Sequence, residues 1–212
     1  MRARSHLALA ALVLLTAAIH LVTVVTGTQF YLTQLTMAAY YGLVVIGLGV
    51  LMGYAGQISI GHAGFFAIGG YLAAALTTRN LSGLEQVLPL AALESLGLLH
   101  RGQDLYGEVL VTVAPWAAAL GAVSAAALVA LAIGIPVLKL KGHYLAMATL
   151  GFGTIIYRLL LASPYFGEAD GISEVPAFTL VPALGPLGPL VVGGGAAVRV
   201  MNYYLAWGVL LV

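Results

Sequence analysis

Long apolar runs recur along this chain, and that repetition limits its folds more than any other feature. Five complete runs fall at about residues 7–26, 32–53, 60–78, 115–138 and 143–162, and a sixth begins near Tyr203 and stops at Val212. A helix needs roughly 20 apolar residues to cross a hydrocarbon core of roughly 30 Å. Each complete run is therefore a span, and the chain is expected to be an all-α, polytopic transmembrane helix bundle of about six spans. The last ten residues rise only about 15 Å as a helix, so the sixth span is expected to be incomplete and the sequence to be a fragment or truncated product.

Composition agrees with a membrane solvent. Of 212 residues, 62% are hydrophobic and only 7% charged, whereas a soluble domain carries about 25% charged residues to solvate its surface. A net charge of +1 gives no basic field for a nucleic-acid partner, and the lack of cysteine excludes disulfide and thiol chemistry. Arg2 and Arg4 followed by Leu7–Val25 resemble a signal peptide, but nineteen residues exceed the usual h-region of about 7–15. The segment is expected to stay as a first transmembrane helix.

The whole chain, 1–212, is expected to form one transmembrane domain with two long connections. Residues 79–114 carry Glu85, Glu94, Arg101, Asp104 and Glu108, and Leu84, Leu88, Ala91, Ala92 and Leu99 recur at a spacing that fits a short interfacial helix. Residues 163–202 hold Glu168, Asp170 and Glu174, then Pro176, Pro182, Pro186, Pro189 and three glycines from Gly193. Prolines break the internal hydrogen bonding that a lipid-exposed helix requires, so this stretch is a loop. Basic residues near short loops mark the cytoplasmic side. Arg2, Arg4, Lys139 and Lys141 then place the N-terminus inside and both long loops outside, with all seven acids on the outer side.

Between the second and third runs lies GYAGQISIGHAGFFAIGGY, Gly53 to Tyr71, with six glycines. As one helix, residues 55–71 place Ala55, Ser59, Ala63 and Ala67 on one small-residue ridge and Gln57, Gly61, Phe65 and Gly69 on the next. Such ridges let helices in lipid approach closely. Packing is the simpler role for most of these positions. Gln57, Ser59 and His62 compete as pathway-lining residues, since polar groups at membrane depth face protein or a water-filled cavity. Gly53 and Gly56 also permit a broken entry to the helix. In the fifth run Thr149, Gly151, Gly153 and Thr154 interrupt an apolar helix, and helix contact is again the simpler role. Candidate pathway residues are thus Gln57, Ser59, His62 and Thr149. Candidate helix-packing glycines are Gly56, Gly61, Gly64, Gly69, Gly151 and Gly153.

No G-x-x-x-x-G-K-[ST] phosphate loop, H-E-x-x-H or G-x-S-x-G motif is present, so no catalytic residues, metal ligands or nucleotide site are assigned. Every acid falls in a loop, which argues against ion coupling within this chain. Energy for pumping would come from another chain.

Three blocks resemble the branched-chain amino acid ABC transporter permeases of the LivM type. Gly53–Tyr71 looks like that family's glycine-rich signature. Lys141, Gly142, Tyr144, Leu145, Ala146, Thr149, Leu150, Phe152 and Gly153 match its R-G-x-Y-L-A-x-x-T-L-x-F-G block, and Asp170, Gly171 and Ile172 match its G-x-x-D-G-I-x-x-I-P loop. The resemblance implies a non-enzymatic permease in a bacterial or archaeal cell membrane. It implies a LivH-like permease partner, two cytoplasmic ATPases that use ATP, and an external solute-binding protein docking on the side of Asp170 and Gly171. It implies no cofactor in this chain itself. The 79–114 connection looks longer than is usual there, and the segment that grips the ATPase would follow the sixth span. A permease for urea or short amides with the same mechanism, and a passive solute channel, are the alternatives.

Overall fold

A computed structural model describes residues 2–84, 90–103, 107–137, 139–140, 142–181 and 190–211. Glu85, Leu88, Asp104, Lys141, Pro182, Pro186, Pro189 and Val212, used in the sequence reading, lie outside them. Seven α-helices occur among the described residues: α1 (Arg2–Val25), α2 (Tyr31–Ala55), α3 (His62–Thr78), α4 (Leu90–Ser95), α5 (Pro115–Val137), α6 (His143–Ala162) and α7 (Arg199–Leu211). Three of them, α2, α5 and α6, are both long and apolar enough to cross a membrane. The chain is an all-α polytopic membrane protein. Its helices present large apolar side chains outward, among them Val45, Leu128 and Ile155, as a lipid solvent allows.

Two antiparallel hairpins stand in the long connections, which the sequence reading left without strands. β1 (Leu99–Gln103) pairs with β2 (Val109–Val113), Leu99 opposite Val113. β3 (Phe178–Val181) pairs with β4 (Leu190–Val192), Phe178 opposite Val192. Leu99, placed in a helical spacing above, instead opens β1.

The chain divides into two compact units, Leu48–Pro176 and Met1–Gly47 with Ala177–Val212. In the first, α3 packs along α5 and against α6. The buried residues of α3 and α5 are small, Gly64, Ala75 and Thr77 on α3 and Ala118 and Ala122 one turn apart on α5, whereas α6 buries Leu145, Phe152 and Leu160. Without water to drive association, close backbone approach supplies the attraction. The β1–β2 hairpin is tied to the end of α3 by Asn80, whose Oδ1 accepts from the Val111 amide at 3.0 Å while its Nδ2 donates to the Val109 carbonyl at 3.1 Å.

In the second unit, the fully buried Tyr203 of α7 donates its hydroxyl to the Thr16 carbonyl of α1 at 3.1 Å. One turn along α1, His20 Nδ1 lies 2.7 Å from the Tyr204 hydroxyl. Among the described residues the buried threonines, Thr16, Thr23 and Thr36 in this unit and Thr77 in the other, each donate to a carbonyl three or four residues back, which satisfies them inside their own helices.

The glycine-rich block is where structure and sequence reading differ most. It is not one helix: α2 ends at Ala55, α3 begins at His62, and residues 56–61 are irregular. The cause is local. Gly56 adopts φ +63°, a left-handed conformation that ends a helix and suits glycine. The ridges drawn through Ala55 and Ser59, or through Gln57 and Gly61, therefore do not form.

Candidate functional site

Since α3 has only 17 residues, it rises about 26 Å, short of a hydrocarbon core of roughly 30 Å. The irregular 56–61 stretch leads into it and sets the site. Non-helical backbone at a membrane is tolerated where protein buries it or where it lines a wet cavity. Here α6 supplies part of that burial: the Ile60 amide donates to Thr149 Oγ1 at 3.1 Å, and the same hydroxyl donates to the Ala146 carbonyl at 3.0 Å. A side chain on α6 thus serves a backbone group that no helix satisfies.

Two glycines bring the backbones together at this point. A Cβ on Gly61 would overlap the Thr149 carbonyl oxygen, and one on Gly153 would lie 3.2 Å from the Gly61 Cα. One turn into α3, a Cβ on Gly64 would meet the Phe152 ring at 3.1 Å. Phe152 is buried and stacks at 4.7 Å on Phe65. Gly61, Gly64, Gly153 and Thr149 are therefore gathered at one crossing. A Cβ on Gly56, Gly69 or Gly151 would meet nothing within 4 Å among the described residues.

Gln57 and Ser59 sit in the irregular stretch and His62 opens α3, all three half-buried. The His62 ring meets Phe65 edge-on at 6.5 Å. Beside the crossing runs a groove of ≈ 330 Å³ lined by Gly61, Gly64, Tyr71, Gly153 and Tyr157 among others. Its walls are mainly apolar, with hydroxyls from Thr154 and the two tyrosines. That surface suits a small solute with an apolar part. Among the described residues no three His, Asp or Glu side chains gather to hold a metal ion.

The far end of α3 holds a second tie, through Arg79, to which the sequence reading gave no role. Arg79 follows α3 directly and donates Nε to the Tyr165 carbonyl at 3.0 Å and Nη2 to the Pro164 and Tyr165 carbonyls at 2.6 and 2.7 Å. Its guanidinium also lies 5.4 Å from the Tyr165 ring. The turn it holds leads into the Gly167–Gly171 loop. There Gly167 and Gly171 have φ +80° and +73°, and a Cβ on Gly167 would overlap the Gly171 carbonyl oxygen. Asp170 is exposed at the tip, its amide bonded to the Gly167 carbonyl at 3.1 Å. Because Gly61 meets the first half of α6 and Arg79 meets the residues after it, α3 and α6 run in the same direction. The 79–114 connection and the Asp170 loop therefore leave these helices at the same end.

Comparison with known proteins bears on this arrangement. The family model described as branched-chain amino acid transport system / permease component matches residues 30–186. The high-affinity branched-chain amino acid transport system permease protein LivM of Salmonella typhimurium is 36% identical over 146 residues, covering 68% of this chain and 27% of that protein. The LivM protein of Escherichia coli K12 is 34% identical over the same share of each. The matched region thus spans about a quarter of either relative's length. No solved structure matches significantly.

Proposed function

This chain belongs to the branched-chain amino acid transport permease family, and we propose that it forms part of the pathway of an ATP-driven importer that brings branched-chain or other hydrophobic amino acids into the cytoplasm. It is a membrane transport component and not an enzyme. Separate ATPase subunits supply the energy, a second LivH-like permease completes the pathway, and an extracytoplasmic binding protein delivers the solute. Gln57, Ser59, His62 and Thr149 border the pathway. The N-terminus and the Lys139 end of α5 face the cytoplasm, and the 163–202 connection with Asp170 and Gly171 faces the binding protein.

The observation that carries this role is the broken entry to α3. It puts three polar residues, Gln57, Ser59 and His62, at or next to an irregular segment whose Ile60 and Gly61 line a mainly apolar groove; the three themselves are not in the groove's lining. The shared end of α3 and α6 also places the Arg79-held loop where both long connections emerge.

The test is reconstitution of the complex, with partner permease, ATPases and binding protein, in proteoliposomes, followed by uptake of radiolabelled leucine. Accumulation that requires ATP and binding protein is expected. Uptake of urea or a short amide in place of leucine would replace the cargo. Leucine flux that ignores ATP would replace the mechanism with a channel.

A further inference from the structure

The unit formed by Met1–Gly47 and Ala177–Val212 contains a second pocket that the transport reading does not use. It is an open hollow of ≈ 360 Å³ lined by Thr33, Thr36 and Tyr40 of α2, by Gly193–Gly195, and by Arg199 at the start of α7. The half-buried Arg199 has no hydrogen bond or ion pair among the described residues, and no acid lines the pocket. Residues 182–189, outside the described set, contain no acid either. The Thr33 and Tyr40 hydroxyls likewise have no hydrogen-bond partner among the described residues, whereas Thr36 gives its proton to the Leu32 carbonyl at 2.8 Å.

The wall opposite α2 is held in place. Asn202 clasps Gly193 twice, accepting from its amide at 3.1 Å and donating to its carbonyl at 2.9 Å. Gly193 and Gly194 have φ +80° and +83°, so the chain turns sharply and leaves no side chain in the space. A preformed hollow thus offers one cation and two hydroxyl donors, none of them with a partner or a balancing negative charge among the described residues.

We propose that this pocket binds the phosphate of an anionic phospholipid headgroup. Two observations select that ligand. The first is position: α2 starts at Tyr31 and α7 at Arg199, so Thr33, Thr36 and Arg199 occupy the opening turns of two apolar helices, at the depth where lipid phosphates lie, with Tyr40 a turn deeper. The second is charge. A zwitterionic amino acid would bring an ammonium along with its carboxylate, and the lining has no acid to receive it. A phosphodiester with an uncharged headgroup makes no such demand, and guanidinium and hydroxyl donors suit its oxygens.

The experiment is native mass spectrometry of the purified chain titrated separately with phosphatidylglycerol and phosphatidylcholine of identical acyl chains. Phosphatidylglycerol should bind about tenfold more tightly, and Arg199→Gln should bring it down to the phosphatidylcholine level. Arg199→Lys should retain part of the preference, and Tyr40→Phe should weaken it while leaving the far-ultraviolet circular dichroism unchanged. Equal binding of the two lipids, or a preference that survives Arg199→Gln, would overturn the proposal. Displacement of the lipid by millimolar inorganic phosphate would assign the pocket to soluble phosphate and overturn the lipid source. Displacement by leucine would overturn the charge argument. None of these outcomes depends on what the complex transports, so failure here leaves the importer role standing.

Discussion

Thr149 and Ile60 are 89 positions apart in the chain, yet the hydroxyl of one accepts the backbone amide of the other at 3.1 Å. This bond joins the break before α3 to the middle of α6, at the point where Gly61 and Gly153 let the two backbones touch. The irregular entry survives in a membrane because a partner helix provides what a continuous helix would have provided for itself.

Substituting Gly61 should therefore cost far more than substituting Gly69. A methyl at Gly61 overlaps the Thr149 carbonyl, whereas one at Gly69 meets open space. Gly61→Ala is expected to destabilise by about 1–3 kcal/mol through overpacking, whereas Gly69→Ala, in a helix interior with open space beside it, should stabilise by up to about 1 kcal/mol. Thermal unfolding in detergent, followed by size-exclusion fluorescence, would show it. Matching melting curves for the two variants would rule out the crossing.

Loss of the Thr149 hydroxyl leaves the Ile60 amide without its acceptor. Thr149→Val should lower stability by about 0.5–1.5 kcal/mol, the net contribution of one hydrogen bond, and Thr149→Ser should restore most of it. Hydrogen exchange at residues 56–61 should accelerate in the valine variant alone. Unchanged exchange there would mean that water already serves the amide.

Arg79 holds two carbonyls of the turn that precedes the Asp170 loop. Arg79→Gln should loosen that loop, raising proteolytic cleavage between residues 163 and 176 severalfold with little change in global unfolding. Arg79→Lys should rescue it only partly, because an ammonium lacks the planar fork that reaches both carbonyls. Wild-type cleavage rates in the glutamine variant would contradict this role.

Tyr203 is fully buried and gives its proton to the Thr16 carbonyl. Tyr203→Phe keeps the ring and removes one hydrogen bond, so a loss of about 1 kcal/mol is expected. Tyr203→Ala also opens a cavity and should lose about 3–5 kcal/mol. Unfolding in mixed detergents measures both, and equal losses would show that the ring contributes little.

For transport, Gln57→Leu is the informative change. Gln57 is half-buried in the irregular stretch and forms no hydrogen bond to another described residue. Removing its amide should spare assembly and lower leucine uptake several-fold in the reconstituted complex. Normal uptake would assign Gln57 to packing alone.

The membrane class and the long apolar helices were legible from composition and run length, because a chain with 7% charged residues has little polar surface to offer water. Of the five complete spans expected, however, only α2, α5 and α6 are both long and apolar enough among the described residues. The glycine-rich block was legible as a close-packing segment. Its conformation was not: helical periodicity assumes an unbroken helix, and Gly56 ends one by adopting φ +63°, a choice that composition does not reveal. The six candidate glycines looked alike, yet only Gly61, Gly64 and Gly153 face a neighbour at close range. The hairpins escaped notice because their strands are only three to five residues long and lie in connections with no clear alternation.

By itself the sequence determined that this protein lives in a bilayer, which segments form its helices, and through its three motif blocks the family to which it belongs. These depend on transfer from water to hydrocarbon and on local chemistry, both summed over neighbouring residues. Only the tertiary structure decided which glycine meets which backbone, that Thr149 serves Ile60, that Arg79 holds the turn before Asp170, and that Arg199 lines a pocket without a partner among the described residues. Those relations join residues as much as 160 positions or more apart, and in lipid their energy comes from shape and hydrogen bonding at short range. Such terms exist only once the helices have met.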